Sequence, residues 1–198
     1  MKIKLSILTT LILLCLNIKA QTIMDVARTE TITWYGLDFS CARFIRFENY
    51  ITPDMIKNEL IINWVKSTAK INFSSKYGID LVEIDTASCA ENNSNIDPDN
   101  LLTNSFYEIN PETIEKIIAD YKTSGTGYGF VFIVESFEKS TEKVYIYVCY
   151  FKESDHKLIS MRRYIGKASG IGLENHYAGA IRDVINYSSK DLRKYSKH

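Results

Sequence analysis

Hydrophobic side chains follow different spacings in different parts of the chain. In TITWYGLDFS, apolar residues alternate with polar ones, which predicts a strand that ends in a turn at residues 36–38, and CARFIRFENY follows as a second extended segment. Apolar residues then recur every three or four positions between Pro53 and Lys70, which predicts a helix capped by Thr52. Residues 79–84, IDLVEI, predict the next strand.

The second half of the chain carries one more helix, three strands and a final helix. Asn110 and Pro111 begin the first of these helices, and the glycine-rich residues 166–172 precede the last one. FVFIVESF is an almost continuous apolar run, which indicates a strand covered on both faces. EKVYIYVCYF and KLISMRRYIG are the next two strands, so the three segments together predict an antiparallel meander.

The order of these elements is β-α-β-α-β-β-β-α. It predicts an α/β (α+β) sandwich with a mixed sheet of about five strands and a C-terminal antiparallel meander, in a single domain of residues 21–198. Residues 86–110 are rich in Asn, Asp and Ser and predict a long loop, either a disordered crossover or a functional loop. The lysine-rich residues 190–198 predict a frayed tail.

The first twenty residues have the three parts of a signal peptide. Two lysines give the positive start, residues 5–16 are apolar, and a short polar stretch ends at Ala20. The apolar run is shorter than the ~20 residues that span a bilayer, so we expect cleavage and a periplasmic or secreted mature chain. Cys15 raises the alternative of a lipoprotein, although Leu14 stands where lipobox sites carry a small residue.

The charge of the chain argues against a nucleic-acid partner. The sequence holds 24 basic and 24 acidic residues. Residues 1–20 contain three lysines and no acidic residue, so their removal changes the formal net charge from +0 to −3. The remaining chain has no second apolar segment of membrane-spanning length, so no transmembrane segment is predicted in it.

Cys41, Cys89 and Cys149 remain after cleavage, an odd number that allows at most one internal disulfide. Cys149 lies in a predicted buried strand, so Cys41 and Cys89 are the candidate pair, and three free thiols are the alternative. The three histidines are far apart in the sequence, and no CxxC or HExxH motif occurs. Neither a metal site nor a cofactor is therefore predicted.

A hydrolase is the alternative to a binding function. The carboxylates near strand ends, from which a catalytic pair could be drawn, are Asp38, Glu83, Asp85 and Glu135. Cys149 and His176 form the one nucleophile and base pair that the sequence suggests.

Two glycine clusters share part of the pattern of phosphate-binding loops. Gly125, Gly127 and Gly129 precede a strand rather than a helix, so they predict a plain loop. Residues 166–172 stand between a strand and a helix, where backbone amides and Lys167 could bind an anion. A plain turn is the alternative there.

Aromatic and basic residues form the candidate binding surface. The chain has 13 Tyr, 9 Phe and 2 Trp, and tyrosine is favoured both on half-buried sheet faces and at protein interfaces. The candidate binding residues are Trp34, Tyr35, Asp38, Tyr145, Tyr147, Arg162, Arg163 and Lys167. The structural alternative is that Trp34 fills the core and that Asp38 caps its own turn.

Two stretches are similar to uncharacterised exported proteins of Gram-negative bacteria. They are ITWYGLDFSCARFI, residues 32–45, and VFIVESFEKSTEKVYIYVCYFKESDHKLISMRRYIGKASGIG, residues 131–172. The fold of those proteins resembles the N-terminal α/β domain of TolB and allied envelope lipoproteins. The resemblance carries no catalytic residues. It implies a non-enzymatic extracytoplasmic module of the cell envelope that binds or assembles, and we expect its partner to be an envelope protein or another extracytoplasmic molecule.

We expect the mature protein to begin at Gln21, because Ala20 closes the polar stretch that follows the apolar run. N-terminal mass analysis of the exported protein measures this start. A lipid-modified Cys15, or an intact Met1 in a cytoplasmic fraction, would contradict the predicted location.

Overall fold

The computed structural model describes residues 22–196, so the predicted signal peptide lies outside the described residues. The strands are β1 (Thr31–Asp38), β2 (Arg43–Ile45), β3 (Leu81–Ile84), β4 (Leu102–Thr103), β5 (Tyr128–Glu138), β6 (Lys143–Lys152) and β7 (Leu158–Lys167). The helices are α1 (Ile23–Ala27), α2 (Pro53–Met55, the π-helical turn Ile56–Leu60, and Ile61–Ala69), α3 (Phe73–Tyr77), α4 (Ala87–Ser94), α5 (Pro111–Ala119) and α6 (Leu173–Ser196). Within residues 22–196, none of the helices has both the length and the apolar character needed to cross a membrane.

Strand β5 is the centre of the sheet, and two strands share one of its edges. β1 pairs in parallel with residues 129–133 of β5, and β2 pairs in parallel with residues 136–138. β3 lies parallel to β1 on its outer side, and β4 lies parallel to β2. On the other edge of β5, β6 pairs antiparallel with it, and β7 pairs antiparallel with β6.

The predicted sheet of about five strands with a C-terminal antiparallel meander is wrong. In residues 22–196 the sheet has seven strands, and five of them form the path β3-β1-β5-β2-β4, in which every neighbouring pair is parallel. β5 is the middle strand of that path, so it does not begin a separate C-terminal unit. The predicted element order also lacks β4, whose two residues are too few to show a period.

Residues 86–110, expected as a long loop, contain helix α4, the 3₁₀ turn Pro98–Asn100 and strand β4. The sequence does not reveal α4, because its eight residues ASCAENNS are mostly polar and carry no apolar stripe. Helix α6 likewise continues through the expected tail as far as Ser196.

Helices cover both faces of the sheet, and each cover encloses a separate core. The larger core lies under α1, α2, α3 and α6, and in it the rings of Trp64 and Phe137 stack 4.7 Å apart. The smaller core lies under α4 and α5 and includes Ile114 and Ile118. Helix α6 rests directly on the sheet. Its backbone comes so close to Gly166 that a methyl group at this position would overlap the carbonyl oxygen of Ala180.

A side chain from helix α4 bridges the gap between β1 and β2. The chain leaves the sheet at residues 39–42, between the two strands. Asn93 donates from Nδ2 to the carbonyl oxygen of Leu37 at 2.9 Å and accepts from the amide of Phe39 at 2.7 Å. One carboxamide therefore replaces the backbone partner that a neighbouring strand would supply.

We expect Asn93→Ala to lower the free energy of unfolding by about 1–3 kcal/mol, because the Leu37 carbonyl and the Phe39 amide lose their partner. Urea denaturation measures the change. Asn95→Ala is the control, since Asn95 is exposed and its side chain makes no hydrogen bond within residues 22–196. Equal losses in the two variants would show that Asn93 does not hold the gap.

Candidate binding clefts beside strand β7

The aromatic residues of β1 are buried on opposite faces of the sheet. Trp34 is in the larger core, with its ring centroid 4.4 Å from that of Phe73. Tyr35 is in the smaller core and donates its hydroxyl to Oε1 of Glu153 at 2.8 Å. Burial, and then the neighbouring Glu153 carboxylate, raise the pKa of Tyr35 far above its ordinary value. Both side chains are about 1% exposed or less, so neither contacts solvent.

Asp38 is fully buried and holds the turn that follows β1. Its carboxylate accepts from the amide of Ser40 at 2.8 Å, from Nδ2 of Asn92 at 2.7 Å and from the hydroxyl of Tyr121 at 2.9 Å. All three donors are neutral groups of the same chain. Asp38 therefore occupies the position that the structural alternative predicts, and its charge is not presented to a ligand.

The three cysteines of residues 22–196 are free thiols. Cys89 is buried with Sγ 3.3 Å from the hydroxyl of Tyr121, and the structure does not join it to Cys41. Cys149 is fully buried, and burial raises the pKa of its thiol. Cys149 belongs to the smaller core, whereas His176 is on α6 over the larger one, so the sheet separates the suggested nucleophile from its base.

The strand-end carboxylates do not converge on one site. Asp85 accepts from the amide of Ala87 at the start of α4, and Glu83 is exposed on β3. Glu135 forms an ion pair with Arg163 on the face of the sheet that carries the smaller core. In residues 22–196 no group of three His, Cys, Asp or Glu side chains is arranged to hold a metal ion.

In both glycine clusters, backbone amides donate hydrogen bonds to other groups of the same chain. The loop at residues 124–129 closes around the buried carboxylate of Glu153, to which the amide of Gly127 donates at 3.0 Å. In the second cluster, the amide of Lys167 donates to Asp183, at 3.3 Å. The next two amides, at residues 168 and 169, donate to backbone carbonyls at 2.8 Å each. These amides are therefore not available to an anion.

Arg163 is the predicted binding residue with the most developed surroundings. Its Nε donates to Oε1 and Oε2 of Glu135 at 3.1 and 3.2 Å, and Nη2 also contacts Oε1. Its guanidinium lies 4.2 Å from the ring centroid of Tyr145. Burial lowers the pKa of Arg163, but the hydrogen bonds and charge of Glu135 outweigh it and hold the pKa above its ordinary value. Glu135 reaches this position through a β-bulge between Val134 and Ser136.

A cleft of about 240 Å³ adjoins this ion pair, and we call it the Arg163 cleft. Its lining comprises Ile45, Arg46, Asn104, Phe106, Tyr107, Glu108, Ser136, Glu138, Tyr145 and Arg163. Phe106 is 83% exposed, although large apolar side chains are usually covered. Arg46 has φ 63°, a left-handed conformation that non-glycine residues seldom adopt and that often accompanies function. The sequence offered one signal for this wall, the adjacent aromatic residues 106–107 in an otherwise polar segment.

A second cleft, of about 450 Å³, runs along the edge of β7 beside helix α6, and we call it the Arg162 cleft. It is lined by Arg162, Arg163, Tyr164, Ile165, Tyr187, Lys190, Asp191 and Lys194. Asp191 lies 2.6 Å from Arg162 and 2.7 Å from Lys194, and it accepts from the Tyr164 hydroxyl at 3.1 Å. Because successive side chains of a strand alternate, Arg162 and Arg163 point to opposite faces of β7, although Arg163 borders both clefts. Lys167, at the end of β7, lines neither cleft.

Strand β7, between these clefts, is an edge of the sheet. Among the described strands it pairs with β6 alone. It has ten residues, whereas the strands at the other edges, β3 and β4, have four and two. Only Tyr164 and Gly166 of its ten residues are buried. β7 is therefore the longest edge strand among residues 22–196.

Comparison with models of known protein families gives no match, and comparison with curated proteins gives no significant match either. The resemblance to the N-terminal domain of TolB remains a prediction that depends on residues 32–45 and 131–172. Any function has to be inferred from the geometry of the clefts and of β7.

We expect Arg163→Met to lower the free energy of unfolding by about 3–5 kcal/mol, because it leaves the fully buried carboxylate of Glu135 without its cation. Glu135→Gln should cost less, about 1–2 kcal/mol, since the Arg163 side chain is 30% exposed and water can solvate its charge. Urea denaturation of both variants gives the comparison.

Arg162→Met is the matched control for this pair. The Arg162 side chain is 64% exposed, so its loss should change stability by about 1 kcal/mol or less. The expected difference in stability between the two variants is refuted if Glu135→Gln destabilises the protein as much as Arg163→Met does.

Proposed function

We propose that this protein is a non-enzymatic binding or assembly module of the bacterial cell envelope. It acts outside the cytoplasm and accepts an extended segment of a partner protein on the edge of β7. The observation that carries this proposal is the ten-residue edge strand that borders two clefts.

The length of this edge supports the proposal. Natural sheets protect their edges with short strands, charged side chains or covering elements, because unpaired backbone groups invite another chain. β3 and β4 follow that rule by their shortness. β7 is neither short nor covered, and its protection is limited to charged side chains such as Arg162, while Ile165 in its second half is 46% exposed. An edge of this kind is the surface on which strand addition takes place in peptide-binding domains.

The two clefts give an added strand its side-chain contacts. Successive side chains of a strand point to opposite faces of the sheet, so a segment on β7 would direct them alternately toward the two sides. One set would meet Arg162 and helix α6, and the other would meet Ile165 and the rim of the Arg163 cleft. Backbone hydrogen bonds supply the affinity of such complexes, and the alternate side chains supply the specificity.

A partner protein fits this edge better than a second copy of the chain. An antiparallel pair opposes residues whose backbone groups point the same way, so the two registers that pair nearly the whole of β7 with itself place either Arg162 opposite Arg162 or Arg163 opposite Arg163 of the second copy. Like charges directly opposite each other destabilise a strand pair. The arginines therefore oppose self-association along the full edge.

The extracytoplasmic location comes from the predicted signal peptide, and the envelope setting comes from the resemblance to TolB-like proteins. The alternative function, a hydrolase, receives less support from residues 22–196. Cys149 is buried away from His176, and the carboxylates of Asp38, Asp85 and Glu135 are each engaged by other groups.

We expect a display library of random ten-residue peptides to yield ligands of the mature protein whose binding depends on one edge of their backbone. Synthetic versions of a selected peptide carry N-methyl groups at odd or at even positions. One set should lose affinity by more than about tenfold, because it removes the amides that donate to β7, and the other set should bind nearly normally. Fluorescence anisotropy measures both.

Ile165→Asp should weaken the same peptide, whereas Ile171→Asp should not. Ile171 is 93% exposed and lies beyond the end of β7, so it controls for the added charge. The proposal fails if no peptide is selected, if both N-methylated sets bind equally, or if Ile165→Asp binds like the wild type.

A further inference from the structure

We infer that the Arg162 cleft selects acidic side chains, so that the partner segment carries carboxylates at alternate positions. This inference rests on the proposed addition of a strand to β7. It names the chemistry of the partner, which strand addition alone leaves open.

The Arg162 cleft already holds one carboxylate of its own chain. Asp191 is bound by Arg162, Lys194 and the hydroxyl of Tyr164 at 2.6, 2.7 and 3.1 Å. Burial alone would raise the pKa of Asp191, but its bonds to Lys194 and Tyr164 and the nearby charge of Arg162 hold the pKa below its ordinary value. These contacts demonstrate that the side chains of the cleft stabilise an ionised carboxylate.

Positive charge remains after Asp191 is counted. Arg162, Lys190 and Lys194 give three cations on this side of β7, and Asp191 is the one acid among the lining residues. Arg163 also borders the cleft, but its charge is balanced by Glu135 on the other face. The Lys190 side chain is exposed and makes no hydrogen bond within residues 22–196. An incoming carboxylate would therefore find an excess of two positive charges.

The other face of β7 presents a different chemistry. Arg163 and Ile165 border the Arg162 cleft at the strand edge, but they alternate with Arg162 and Tyr164 along β7 and therefore point to this face. Ile165 is 46% exposed, and Arg163 is paired with Glu135 and stacked on Tyr145. Side chains of a bound strand on this face would meet apolar surface and a neutralised cation. Because strand side chains alternate, the expected partner segment alternates acidic with apolar residues.

The test repeats the library selection and examines the composition of the selected peptides. Glu and Asp should be enriched at alternate positions, with apolar residues between them. A selected peptide should bind Lys190→Glu about two- to fivefold more weakly than the wild type, and salt should reduce this difference, as expected for exposed charges. A matched peptide with Lys in place of each Glu should prefer the variant.

Arg182→Glu provides the control. Arg182 is exposed on the same helix, lies outside the lining of the cleft and changes the net charge by the same amount. It should alter the affinity for the acidic peptide less than Lys190→Glu does. Thermal unfolding of both variants establishes that each is folded.

The outcomes separate this inference from strand addition itself. Selected peptides that depend on their backbone edge but show no acidic enrichment, or no effect of Lys190→Glu, would refute the acidic preference and leave strand addition standing. Selection of no peptide would refute both. Lys190-dependent binding to vesicles of anionic phospholipid, with no binding of acidic peptides, would assign the cleft to a membrane surface and overturn the inference.

Discussion

The structure depends on the burial of strand β5 on both faces. Nine consecutive residues, 129–137, are buried, with Phe130, Phe132 and Phe137 in the larger core. Each such side chain contributes about 1.5–3 kcal/mol when it leaves water. β5 spans eleven residues and β1 only eight, so a single neighbour of that length cannot pair its whole edge. β1 and β2 share the edge in series, and the interruption between them is the feature that the surrounding elements must accommodate.

That interruption determines where the Arg163 cleft forms. Helix α4 fills the gap with Asn93, and the chain after α4 returns as β4 to pair with β2. The segment that follows β4 then carries Phe106 and Tyr107 across the end of β5, where they line the Arg163 cleft. The bulge at Glu135 places its carboxylate on the same side. The cleft is therefore built from elements whose positions follow from covering β5.

The sequence predicted those features that depend on neighbouring residues. Pro53 and Pro111 begin helices, and the apolar run of FVFIVESF indicated two covered faces, which the burial of β5 confirms. The sequence did not predict which distant residues pair with each other. Glu135 and Arg163, for example, are 28 residues apart, and local spacing carries no information on such contacts. The apolar run of FVFIVESF already indicated a central strand, because a strand covered on both faces lies inside a sheet. Its placement in a separate C-terminal meander did not follow from that indication. Helix α4 was hidden because it is held by polar contacts rather than by an apolar stripe.

The chain order explains why β7 remains an edge. After β7 the chain turns into α6, which packs on one face of the sheet, so within residues 22–196 no strand follows β7 to pair with it. An unpaired edge of ten residues risks association with any extended chain. Two adjacent arginines reduce that risk for a second copy, since each near-full antiparallel register places one of them opposite the same arginine of that copy. Arg162 also belongs to the cleft for which we propose an acidic partner, so in that proposal one residue both opposes self-pairing and favours a particular class of partner.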